Sequence, residues 1–128
     1  MNKTNEYQQL QIIDYQLRQF QSIIETVDAQ LIEASASRDA LVELKKLQGN
    51  EDVLFPITNG IFAKGKITDS KNLRLNVGSN IVVEKSTDEA ITMMEKQVED
   101  LEDYKGQLTQ QMTQLVNKAE ELQQKLSD

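Results

Sequence analysis

Gly60-Ile61-Phe62-Ala63-Lys64-Gly65-Lys66-Ile67 runs with a period of two. Ile61, Ala63, Gly65 and Ile67 alternate with Phe62, Lys64 and Lys66, as they do in a pleated strand whose successive side chains point to opposite faces. Leu73, Leu75 and Val77 alternate with Arg74 and Asn76 in the same way, and Ile81-Val82-Val83 is a short β-branched run. Val53-Leu54-Phe55-Pro56-Ile57 precedes them, and Pro56 marks an edge or an end of its strand because proline has no N–H to give a ladder. Asn59-Gly60, Thr68-Asp69-Ser70-Lys71-Asn72 and Gly78-Ser79-Asn80 punctuate these runs as turns. The spacing predicts about four short strands in two hairpins over residues 50–86.

On either side the period changes to that of a helix. Upstream, Leu10, Ile13, Leu17, Phe20, Ile24, Val27, Leu31, Ala34, Arg38, Leu41 and Leu44 step by three and four residues in turn, with Arg38 the one polar member. No Gly or Pro interrupts them, and Gly49-Asn50 reads as the stop. Downstream, Ser86-Thr87-Asp88-Glu89 is a capping box in which Ser86 caps the helix and Glu89 reaches back to it. Ile91, Met94, Val98, Leu101, Lys105, Leu108, Met112, Leu115, Ala119, Leu122 and Leu126 follow with the same steps. Lys105 is the polar member, and Gly106 beside it costs about 1 kcal/mol of helix stability relative to Ala.

These are two heptad seams of equal length, each about 50 Å at 1.5 Å per residue. Laid antiparallel, facing positions sum to 135 or 136 in residue number. Leu44 then faces Ile91, Ile24 faces Met112 and Leu10 faces Leu126. Leu17 meets Ala119, a large–small layer that packs closely, and Leu31 meets Lys105 in a weak one. The expected fold class is α+β, a long antiparallel coiled-coil helical hairpin with a small β-module of about four strands between its helices. Residues 1–128 form a single domain, with 1–49 the first helix, 50–86 the β-module and 87–128 the second helix. Both chain ends lie at the free tip.

Four short strands with a thin apolar face and open edges are marginal alone, and closure with copies or relatives removes the edges. The sequence therefore predicts oligomerisation through Val53, Phe55, Ile61, Phe62, Ile67, Leu73, Leu75, Val77, Ile81 and Val83, as an oligomeric β-barrel base. Phe62 faces away from Ile61 and Ile67, and both a helix–sheet contact within the chain and a contact between subunits suit it.

Composition narrows the function. The chain has 128 residues, 38% hydrophobic and 5% aromatic, and contains no His, Cys or Trp. That removes the commonest acid–base residue and the commonest zinc ligands, and leaves Ser and Thr without a His to activate them. Lys64 and Lys66 flank Gly65, but no phosphate-binding loop ending in Gly-Lys-Ser/Thr occurs. Glu99, Asp100, Glu102 and Asp103 avoid the seam positions and read as a solvated helix face rather than a cation site. The expectation is a protein that is not an enzyme and takes no cofactor and no metal. The net charge of −7 repels a phosphate backbone, so no nucleic acid is expected. No run approaches the roughly 20 apolar residues that span a membrane, and the polar start Met1-Asn2-Lys3-Thr4-Asn5-Glu6 lacks a secretion signal. The expected location is cytoplasmic.

The chain resembles the α subunits of the prefoldin family. The resemblance is carried by Gly60-Ile61-Phe62-Ala63-Lys64-Gly65-Lys66-Ile67, by Asn76-Val77-Gly78-Ser79-Asn80-Ile81-Val82-Val83-Glu84-Lys85, and by Asp88-Glu89-Ala90-Ile91. The heptads fit in length and order, so it covers the whole chain. It implies a hetero-hexamer of two α-type and four β-type subunits, with hairpins forming a double-barrel base from which coiled coils project. It also implies an ATP-independent holdase that binds unfolded client proteins at the distal coiled-coil tips and passes them to a group II chaperonin. Tyr7, Leu10, Ile13, Leu17, Leu122 and Leu126 occupy that tip. From the residues alone they are seam layers, exposed only where fraying ends let helices splay. The resemblance makes them the client-binding set.

Two other readings share the periodicity. One is a structural or scaffolding coiled coil without clients. The other is a transcription-cleavage factor that inserts a hairpin into a polymerase channel. That design needs an acidic hairpin loop at its tip, whereas here a β-module joins the helices.

Overall fold

The structure, a computed structural model, describes residues 3–127. Helix α1 is Thr4–Lys45, strands β1 Asp52–Thr58, β2 Ile61–Lys66, β3 Asn72–Asn76 and β4 Val82–Ser86 follow, and helix α2 is Thr87–Ser127. The strands form two separate antiparallel hairpins, β1–β2 and β3–β4. The chain divides into two compact units, Met1–Glu33 with Val98–Asp128, and Ala34–Gln97.

In the first unit the shielded apolar side chains fall on the seam positions read from the heptads. Ile13, Val27, Val98, Leu108 and Leu122 are buried, and Leu10, Leu17, Phe20, Ile24, Leu31, Leu101, Met112, Leu115, Ala119 and Leu126 are half-buried. The expected pairs Ile13 with Leu122 and Val27 with Leu108 are buried on both sides. The helices run antiparallel, since Lys3 Nζ donates to the Leu126 carbonyl at 3.0 Å and Lys105 Nζ lies 2.7 Å from Asp28 Oδ1. The Lys105 layer is thus less weak than the periodicity implies. The aliphatic stem stays half-covered on the seam while the ammonium reaches outward to a carboxylate.

In the second unit α1 stops at Lys45, short of the apolar Leu47. The amides of Lys46 and Leu47 bond back to the carbonyls of Glu43 and Leu44, a tightened last turn. Gly49 then turns the chain with φ +91°, which a side chain would resist. At the other end Ser86 closes β4 and caps α2 at once. Its Oγ accepts the Glu89 amide at 3.0 Å and donates to Glu89 Oε1 at 3.1 Å.

The second hairpin is amphipathic. Its register pairs Leu73 with Lys85 and Leu75 with Val83 on one face, and Arg74 with Glu84 and Asn72 with Ser86 on the other. Leu73 and Leu75 line a groove with Leu41, Leu44, Ala90 and Met94 from the helices, so this apolar face is partly covered within the unit. Its turn, Gly78-Ser79-Asn80-Ile81, is closed by the Ile81 amide on the Gly78 carbonyl, with Ser79 and Asn80 both at positive φ. That backbone follows the strand twist.

The first hairpin differs. Pro56 sits inside β1, opposite Phe62, and the register slips between Pro56 and Thr58. Gly60 makes the turn at φ +74°.

Candidate functional site

Two surfaces gather the candidate residues. In the first unit, Tyr7, Leu10, Ile13 and Leu17 from α1 line an open groove of about 460 Å³ with Ala119 and Gln123 from α2. The groove exists because Ala119 is small. Opposite Leu17, a methyl group fills a layer that a leucine would close. Gln11 and Asp14 make the polar rim. Of the residues expected at the tip, Tyr7 is exposed and Leu10, Leu17 and Leu126 are half-exposed. Ile13 is buried but reaches the groove wall, while Leu122 is only 2% exposed and serves the seam. Leu122 and Leu126 are not part of the groove lining.

The second surface is the first hairpin. By register Val53, Phe55, Ala63 and Gly65 share one face, and Leu54, Pro56, Phe62 and Lys64 the other. Both faces expose large apolar groups: Phe55 and Ile61 on the first, Leu54 and Phe62 on the second, with Ile57 exposed at the register slip. Phe62 is 56% exposed, so the helix–sheet contact within the chain is not its role. The ring of Phe55 lies over Gly65, where an added Cβ would come within 2.8 Å of its Cε2. Asp52 sits between Lys64 at 3.2 Å and Lys66 at 4.0 Å, an exposed cross-strand pairing worth little on its own.

The other expected assembly residues divide. Val77 and Ile81 are exposed beside the second turn, and Val53, Ile67, Leu73, Leu75 and Val83 are half-buried. Ile67 lies beyond the end of β2. Sequence reasoning left out Leu54, Ile57 and Val82, all exposed. For Leu54 and Ile57 the signal was the run Val53-Leu54-Phe55-Pro56-Ile57, apolar on both pleat faces, which a strand with one solvated face does not need.

Two loops are held by carboxylates. Glu51 accepts the Gln48 amide at 3.0 Å, and Asp69 accepts the amides of Lys71 at 3.0 Å and Asn72 at 3.2 Å. These N–H groups favour the charged forms and hold both carboxyls below their ordinary range. Among the described residues no group of acidic side chains is placed to hold a metal ion, and no helix is long and apolar enough to cross a membrane.

Paired heptad helices with two β-hairpins, one of them exposing apolar side chains on both faces, define a coiled-coil protein of α+β class. Residues 13–128 match the family model described as a prefoldin subunit. The chain is 33% identical over 127 residues to prefoldin subunit alpha of Pyrococcus horikoshii, covering 89% of this chain and 86% of that protein. It is 26% identical over 123 residues to prefoldin subunit alpha of Methanococcus aeolicus, covering 96% and 83%. A chain in the cryo-EM structure of filamentous PFD from Methanocaldococcus jannaschii superposes with a TM-score of 0.77 over 93% of this chain and 98% of that one, at 24% identity. The chain belongs to the prefoldin family. Its members are chaperone subunits, not enzymes, and they assemble into oligomeric complexes.

Proposed function

We propose that the chain is an α-type prefoldin subunit that acts as an ATP-independent holdase in the cytoplasm. The observation that carries this is the open apolar groove of Tyr7, Leu10 and Leu17 against Ala119. It is a concave patch with few polar groups, suited to apolar side chains of any order. Covering one large client side chain is worth about 1.5–3 kcal/mol, so a single groove binds weakly. Several grooves in one assembly supply avidity without demanding a sequence.

The assembly would form through the hairpins, with Val53, Phe55, Ile61, Phe62, Ile67, Leu73, Leu75, Val77, Ile81 and Val83 at or beside its contacts. Two such chains and four β-type subunits would close the strand edges into a barrel base. Clients would be held by Tyr7, Leu10, Ile13, Leu17 and Leu126, with the buried Leu122 reached only where the helices splay, and would pass to a group II chaperonin. Residues 1–49, 50–86 and 87–128 would act as one domain, the middle segment for assembly and the outer two for capture.

The test mixes the full chain with a β-type subunit and follows the aggregation of a chemically denatured protein without ATP. The expected outcome is suppression, reduced severalfold by Leu10→Ser with Leu17→Ser in an assembly of unchanged mass. An assembly that forms yet leaves aggregation untouched would instead mark a scaffold without clients.

A further inference from the structure

The seam does not account for every apolar side chain on α1. Ile12 is 57% and Tyr15 63% exposed, and Ile23 is also exposed. Ile12 and Ile23 are eleven residues apart. That is about three helical turns, so they lie on one face about 16 Å apart along the axis. Tyr15 flanks them about one turn from Ile12. Gln19, between Tyr15 and Ile23, donates from Nε2 to the Tyr15 hydroxyl at 2.8 Å and holds the ring along the helix. None of these positions belongs to the seam.

The surroundings of this stripe are charge-poor. Between Tyr7 and Ile24 the only charged residues are Asp14 and Arg18, which pair with each other at 2.9 Å. The rest of the face is largely glutamine. The wider field is negative, because residues 1–33 and 98–128 carry twelve acidic and five basic side chains. An apolar strip without net charge, set in an acidic unit, attracts a particular occupant. Cationic chains are drawn in by the field, and their apolar side chains then meet a surface that repels neither sign.

We infer that Ile12, Tyr15 and Ile23 form a second client surface on the outer face of α1, selective for unfolded segments that carry both apolar and basic residues. This rests on the holdase reading and adds to the groove a partner preference that the groove lacks. An acidic segment of equal hydropathy is disfavoured.

The test places a photo-crosslinking residue at position 12 or 23, or in the groove at position 10 or 17, of the full chain. The probe is a synthetic leucine–lysine peptide kept unfolded by prolines, with a leucine–glutamate peptide of the same pattern beside it. Expected are adducts of the lysine peptide at 12 and 23, severalfold fewer with the glutamate peptide, and a fall in yield at high salt. Ile12→Gln with Ile23→Gln, which keeps helix propensity, is expected to weaken lysine-peptide binding about tenfold. Adducts from 10 and 17 alone, with affinity unchanged in the double variant, overturn this inference and leave the groove standing. Adducts between two copies of the chain overturn it in favour of self-association. Peptide adducts from no position overturn the holdase reading as well.

Discussion

The Thr87 hydroxyl donates to the Ser70 carbonyl at 2.6 Å, and Thr87 is the most completely buried side chain among the described residues, at 1% exposure. Its amide also bonds to the Lys71 carbonyl at 2.8 Å, and the Ser70 hydroxyl in turn donates to the Leu47 carbonyl at 2.8 Å. Two side chains thereby tie together the end of α1, the loop between the hairpins and the first residue of α2. Thr87→Val keeps the shape and removes the donor, leaving a shielded carbonyl without its partner. A loss of about 1–2 kcal/mol in urea unfolding is expected, against a smaller loss for Thr87→Ser, which keeps the hydroxyl. A valine variant as stable as the native chain would show that the bond contributes nothing, and a loss with serine as large as with valine would show that the methyl, absent only from serine, matters as much as the bond.

The Asp69 carboxylate organises the same loop through the amides of Lys71 and Asn72, and Glu51 does so for residues 48–51. Both carboxyls titrate below their ordinary range when folded, because backbone N–H groups stabilise the charged form. The sign follows from linkage. Their contribution is fully present above the ordinary carboxylate pKa of about 4 and is lost as pH falls through the lowered folded values. Amide exchange at Lys71 and Asn72 should accelerate relative to intrinsic rates below about pH 4, while the amides of the α2 seam stay protected. Asp69→Ala should show fast exchange at Lys71 at neutral pH already. Unchanged protection there would remove Asp69 as the organiser.

Most of the fold is legible in the chain because two periods, near 3.5 and 2, are written in its apolar residues. From Ile91 through Leu126 every buried or half-buried residue sits at a heptad position, Val98, Leu108 and Leu122 most deeply. The junction of Leu47, Ser70 and Thr87 is not legible, since it joins residues 17 and 23 apart by hydrogen bonds that no period encodes. The partner of Lys105 escapes for a related reason. Periodicity places it opposite Leu31, but a long side chain finds a carboxylate one turn away at Asp28. The outer stripe of Ile12, Tyr15 and Ile23 hides because three residues spread over that stretch of helix make no repeat.

Lys105 offers a test of seam continuity. Its side chain is 41% and that of Asp28 44% exposed, so the ion pair is screened and contributes at most about 1 kcal/mol. Lys105→Leu removes it but gives Leu31 an apolar partner, and Asp28 keeps its access to water. A net gain of about 1 kcal/mol in urea unfolding is expected. Lys105→Glu, which sets a carboxylate against Asp28, should lose stability. A loss with leucine as large as with glutamate would show that the ion pair, not the layer, matters at this level.

Gly65 gives the first hairpin a prediction with a change of sign. Its φ is outside the left-handed region, so alanine suits the backbone, and removing a glycine from a strand interior is ordinarily worth about 0.5–1 kcal/mol. Here the new Cβ would stand 2.8 Å from Phe55 Cε2, closer than carbon atoms approach, and the ring must swing away from the strand it covers. Gly65→Ala is therefore expected to destabilise the chain in thermal unfolding while Phe55 is present. In the Phe55→Leu background, where no ring occupies that space, the same change should become neutral or stabilising. The two effects would then differ by about 1 kcal/mol or more, a coupling typical of residues in contact. Simple additivity would mean that the ring does not rest on the glycine, and that Gly65 serves an approach by another chain instead.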